Sequence, residues 1–94
     1  VPVFEEALRH ADEFLLTAAG QRNRNFTGPF VQFKGIPFAM EEILFDPQTS
    51  GGLLISLAKE DAPGLLDKLK ASGLPAEIVG EVLAKTEPEI LVTN

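Results

Sequence analysis

Apolar residues at Phe4, Ala7, Leu8, Ala11, Phe14 and Leu15 recur at the three- and four-residue spacing that lays one stripe along a helix. Glu5 and Arg9, four apart, add a favourable pair to that helix, and Gly20 is its expected stop. The next five residues, Gln21-Arg22-Asn23-Arg24-Asn25, are polar and without period, so they read as a loop, basic in an otherwise acidic chain. Thr27-Gly28-Pro29 signals a turn, Phe30 to Phe33 alternates like a short strand, and Gly35-Ile36-Pro37 breaks it. Pro37 then suits the first turn of a helix reaching Phe45.

The second half repeats the alternation of elements. Leu53 to Leu57 is a short apolar run of the kind that forms a buried strand. Lys59 to Ser72 predicts a helix with Ala62, Leu65, Leu66 and Leu69 on one face, Pro63 in the first turn and Gly73 as its C-terminal stop. Ala76 to Leu83, where Gly80 marks a bulge or a kink, and Glu89 to Val92 complete the pattern as two further strands. The class expected is α+β, an α/β sandwich in which a mixed sheet carries helices on one face.

Composition narrows the function classes. Ninety-four residues with 45% hydrophobic content can form one domain without disulfides or metal. The absence of cysteine removes thiolate ligands and cysteine nucleophiles from the chain. A net charge of −6 argues against a nucleic-acid partner, which needs clustered Lys and Arg. Apolar runs such as Leu53–Ile55 fall far short of the roughly 20 residues of a membrane span, so no membrane partner is expected either. The opening Val-Pro-Val-Phe-Glu-Glu has neither an initiating Met nor signal-peptide character, and a fragment of a longer protein is expected.

The chemistry concentrates in Asp46-Pro47-Gln48-Thr49-Ser50-Gly51-Gly52. Aspartate before proline fixes a turn, and two glycines allow successive amides to converge on an anion. It has neither the Gly-Lys-Ser/Thr ending of a phosphate loop nor a G-x-G-x-x-G fingerprint, so composition alone makes it first a helix-to-strand turn. Arg22 and Asn23, with Arg24, offer donors to a phosphate, against the plainer reading of a solvated loop. His10 stands alone without a second ligand. Glu41, Glu42 and Asp46, like Glu60 and Asp61, read as solvated acids or acids near helix ends, so no general acid–base pair and no metal site is nominated.

Phe45-Asp46-Pro47-Gln48-Thr49-Ser50-Gly51-Gly52-Leu53-Leu54 resembles the signature of the C-terminal domain of the selenophosphate synthetase family, the selenide, water dikinases. Val1-Pro2-Val3, Arg22-Asn23-Arg24 and Ile78-Val79-Gly80-Glu81-Val82 follow that family's order and spacing, so the resemblance covers nearly all of the chain. It implies the C-terminal domain fold of the aminoimidazole ribonucleotide synthetase superfamily, with residues 1–94 as a single, incomplete C-terminal lobe of a two-domain cytoplasmic enzyme. It also implies the reaction of selenide, ATP and water to selenophosphate, AMP and phosphate, with Mg2+ shielding the phosphates.

The family's reactive Cys or selenocysteine, its Lys partner, its glycine-rich ATP region and its metal-binding aspartates have no counterpart in this chain. ATP and Mg2+ are therefore expected mainly outside it, and this piece alone is expected to be inactive. The implied partners are the N-terminal ATP-binding domain and a second copy in a homodimer. Asp46, Gln48, Thr49, Ser50, Gly51, Gly52, Arg22 and Asn23 are the candidates to face the phosphate cleft. Two orientations of the Asp46–Gly52 turn are open, toward that cleft or inward as a lock between helix and strand. An alternative function from another class is a stand-alone, non-catalytic α+β module for ligand binding or dimerisation, in which the turn is structural.

Overall fold

The computed structural model describes residues 1–94. The elements are α1 (Glu5–Asp12), α2 (Ala18–Thr27), a 3-10 turn (Gly28–Phe30), β1 (Val31–Lys34), α3 (Phe38–Phe45), α4 (Ala62–Ala71) and β2 (Ile90–Thr93). This is the expected α+β class. The chain divides into two compact units, one of Phe4–Ser50 with Ala84–Asn94, the other of Val1–Val3 with Gly51–Leu83.

In the first unit β1 and β2 pair in parallel, Val31 opposite Ile90 and Lys34 opposite Thr93. The sheet is thus a parallel pair rather than a mixed array. Helix α3 packs on it through Phe45, whose ring meets Phe33 of β1 edge-on at 5.5 Å. Helices α1 and α2 both pack against α3, so α3 is the centre of this unit. Its buried apolar residues are Ala11, Ala39 and Phe45.

Helix α1 stops at Asp12, before the Leu15 that periodicity suggested, and the cause is local. Phe14 adopts the left-handed conformation at φ 59°. Its N–H donates to Ala11 O at 3.0 Å, and Leu15 N–H to His10 O at 2.9 Å. These two bonds form a Schellman close, with phenylalanine where glycine is usual. The Phe14 ring is held 5.9 Å from that of Phe38.

The largest departure is α2, which runs through the segment expected as a loop and carries Gly20 in its first turn. Periodicity misses it because its support is polar. The Thr17 hydroxyl accepts from Gly20 N–H at 3.0 Å as an N-cap, and side chains along the helix bond to α3.

In the second unit α4 forms as expected, shorter than Lys59–Ser72, with Pro63 in its first turn. It closes with the same Schellman pair, Gly73 N–H to Lys70 O at 2.9 Å and Leu74 N–H to Leu69 O at 3.1 Å, and here glycine takes the positive φ of 78°. Leu53–Leu57 and Ala76–Leu83 are not strands. An apolar run becomes a strand only where a neighbouring backbone pairs with it, and neither segment has such a ladder. Gly80 consequently interrupts no ladder. The ion pairs Lys59–Glu81 at 3.3 Å and Lys70–Glu77 at 2.8 Å lie on the surface.

Candidate functional site

The Asp46–Gly52 segment begins where α3 ends. Asp46 is the C-cap residue, extended at φ −66° and ψ 134°, with Pro47 next to bar any continuation. Its carboxylate accepts a 2.7 Å hydrogen bond from the Thr17 hydroxyl. The last carbonyls of a helix lack partners inside it, and that of Phe45 is taken by the Asn23 side-chain amide at 2.8 Å. Thr17, the N-cap of α2, and Asn23 within it therefore hold the first residue beyond α3 and its final turn.

A third tie lies one turn back. Arg24 Nη1 donates to Glu41 Oε2 at 3.0 Å, and Nη2 lies 2.5 Å from Glu42 Oε1. Gln21 Nε2 donates to the other Glu42 oxygen. The Arg24–Glu42 contact is one of charge rather than an aligned hydrogen bond. The guanidinium also lies 4.8 Å from the Phe45 ring centre and 5.4 Å from that of Phe38. Glu42 is buried, only 5% exposed, which corrects its reading as a solvated acid.

From Pro47 to Gly52 the segment is exposed, with the hydroxyls of Thr49 and Ser50 at the surface. Of the two glycines, Gly52 takes a left-handed φ of 65° and Gly51 does not. Arg22 is exposed on α2 and free of ion pairs, whereas Asn23 is committed to Phe45. Neither stands on a loop. A concavity of about 390 Å³ lies elsewhere, between Pro29, Phe30, Glu87, Pro88 and Glu89, where two carboxylates disfavour an anion. No group of three His, Asp or Glu side chains is placed to hold a metal ion, and no helix is long and apolar enough to cross a membrane.

Residues 1–93 match the family described as AIR synthase related protein, C-terminal domain. The chain belongs to this family. As an AIR synthase related domain it is similar to proteins named selenide, water dikinase, being 56% identical to one from Agathobacter rectalis over 98% of its length. It is 42% identical to another from Desulfitobacterium hafniense and 44% to one from Pelobacter propionicus, again over 98% of the chain. The domain spans about 27% of the length of these relatives. No solved structure matches it.

Sequence reasoning singled out the Asp46–Gly52 segment but missed the contacts of Thr17, Gly20 and Gln21 and the role of Arg24. A signal was present in Thr17-Ala18-Ala19-Gly20, a threonine three residues ahead of an amide it can cap. The other signal was Glu42 inside the apolar run Phe38 to Phe45, where a carboxylate needs a buried partner.

Proposed function

We propose that this domain is the C-terminal part of an ATP-dependent selenide, water dikinase, converting selenide, ATP and water to selenophosphate, AMP and phosphate. The observation that carries the reading is the 56% identity, across 93 residues, with a protein of that name. In this reading residues 1–94 are one lobe of a two-domain cytoplasmic homodimer, and the N-terminal domain of the same chain binds most of the ATP.

Phosphoryl transfer asks a protein for positioning and charge neutralisation more than for covalent chemistry. The share of this lobe is to present the hydroxyls of Thr49 and Ser50, the Gln48 amide and the backbone N–H groups of Gly51 and Gly52 to a phosphate or to water. Arg22 adds an unpaired positive charge. No three acidic side chains converge in this chain; in this reading Mg2+ is held mainly by residues outside 1–94, and no step is assigned to it.

The test is the full-length protein with Thr49→Ala and Ser50→Ala together, assayed for selenide-dependent AMP formation. Turnover falls by at least about tenfold, as loss of transition-state donors does, with an unchanged melting curve. Intact turnover in the double variant would remove the segment from the cleft. An unchanged protein whose AMP formation ignores selenide would remove the reaction itself.

A further inference from the structure

We infer that Asp46 is a positioning residue, clamped by Thr17 so that α2 sets the direction in which the Gln48–Ser50 segment leaves α3, and that its charge is not spent on the ligand. The inference rests on the function proposed above for that segment.

The geometry is a relay. Gly20 N–H donates to Thr17 Oγ1 at 3.0 Å, and that hydroxyl, oriented by its own accepted bond, donates its proton to Asp46 Oδ1 at 2.7 Å. A hydroxyl has a single proton to give, so the one that closes on Asp46 is unavailable elsewhere. Glycine at position 20 suits a close approach. A Cβ there would lie 3.1 Å from Thr17 Oγ1, 3.8 Å from Asp46 Cα and 3.9 Å from Asp46 Oδ1. Glycine inside a helix is otherwise unfavourable by about 1 kcal/mol relative to alanine. Helix α2 thus carries its least favourable residue at the point where Thr17 and the start of the segment lie beside it.

The Thr17–Asp46 bond is one of several between α2 with its cap and α3 with its end, beside that of Gln21 to Glu42. Thr17 meets Asp46, Asn23 meets Phe45, and Arg24 meets Glu41 and Glu42. The bonds of Gln21, Asn23 and Arg24 hold α2 against α3 itself, whereas that of Thr17 acts on the departing chain. Asp46 is half-buried beside α2 whereas Pro47 to Ser50 are exposed. The segment therefore has an anchored end and a free end, and the anchored end carries the acid.

The full-length protein with Thr17→Val, Asp46→Ala, both together, or Asp46→Asn tests this, because asparagine keeps an oxygen that accepts from Thr17 but loses the charge. Two readouts are taken, steady-state selenide-dependent AMP formation and deuterium uptake of the peptide spanning residues 45–52. Thr17→Val and Asp46→Ala each lower kcat about tenfold, as a displaced contact does, with KM for ATP nearly unchanged. The double variant is no worse than either single one, as expected of two residues acting through one bond. Asp46→Asn stays within about threefold of the unchanged protein and takes up deuterium as it does, while the other variants exchange faster.

An Asp46→Asn loss as large as that of Asp46→Ala would overturn the inference by showing that the charge itself is used. A Thr17→Val variant unchanged in both readouts would overturn it as well. Should Asp46→Ala not fold, Thr17→Val beside Asp46→Asn still decides. Should the unchanged protein make no AMP from selenide and ATP, the proposed reaction fails, and deuterium uptake alone tests the clamp.

Discussion

Arg24 and Glu42 meet at 2.5 Å, the guanidinium close to the rings of Phe38 and Phe45 and the carboxylate side chain only 3% exposed. A buried acid in a unit with three buried apolar residues is tolerable only because arginine and Gln21 surround it. The pair ties α2 to α3 and so lies beneath the Asp46–Gly52 segment in the order of construction.

Arg24→Met leaves Glu42 without its countercharge. Urea unfolding of the protein carrying this domain registers a loss of about 2 kcal/mol, less than the roughly 3–5 kcal/mol of a fully buried pair because Arg24 is partly exposed. Adding Glu42→Leu recovers most of that loss, since no charge then remains buried. A double variant as unstable as the sum of the single changes would contradict this account.

Two glycine-to-alanine changes, each within a helix, have opposite signs. At Gly64, in α4, an added methyl meets nothing within 4 Å, so Gly64→Ala stabilises by about 0.5–1 kcal/mol. At Gly20 the same gain in helix propensity is opposed by Thr17 Oγ1, 3.1 Å from an added Cβ and bonded on both sides, which can move only by giving up a hydrogen bond. Gly20→Ala therefore lowers the melting temperature while Gly64→Ala raises it. Equal shifts in a melting experiment would refute the contrast.

Gly73→Ala tests the Schellman close of α4. The positive φ of 78° costs an L residue about 1–2 kcal/mol, and urea unfolding should show a loss of that size. Phe14 already bears such strain in α1, so Phe14→Gly relieves the backbone but forfeits the contact with Phe38. Its net effect is accordingly smaller than that of Gly73→Ala.

Leu53, Leu54 and Val82 are 87–90% exposed. Residues 1–94 produced alone therefore self-associate. Their melting temperature falls on dilution, and Leu54→Lys with Val82→Glu reduces the association measured by sedimentation. A concentration-independent melt of the unchanged chain counts against this.

Much of the fold is legible where a local pattern decides it. α3 and α4 follow from apolar spacing bounded by Pro37 and Gly73, and β1 and β2 lie within one residue of their expected limits. α2 is illegible by that route, because Thr17, Asn23 and Arg24 are rewarded by residues of α3 far along the chain. Leu53–Leu57 fails in the opposite sense. Its composition suits a strand, but strand formation belongs to a pair of backbones, and no partner lies beside it. The candidate segment was readable as an unbroken signature, whereas its division into an anchored and an exposed end required coordinates.

The pairing of Val31 with Ile90 also has a consequence for synthesis. β1 leaves the ribosome long before β2 exists, and a parallel pair cannot close until its second strand emerges. Throughout that interval the edge of β1 is open to other nascent chains. A stop codon before Ile90 would make that exposure permanent, so premature termination near the end of this domain is expected to yield insoluble product rather than a slightly shortened protein.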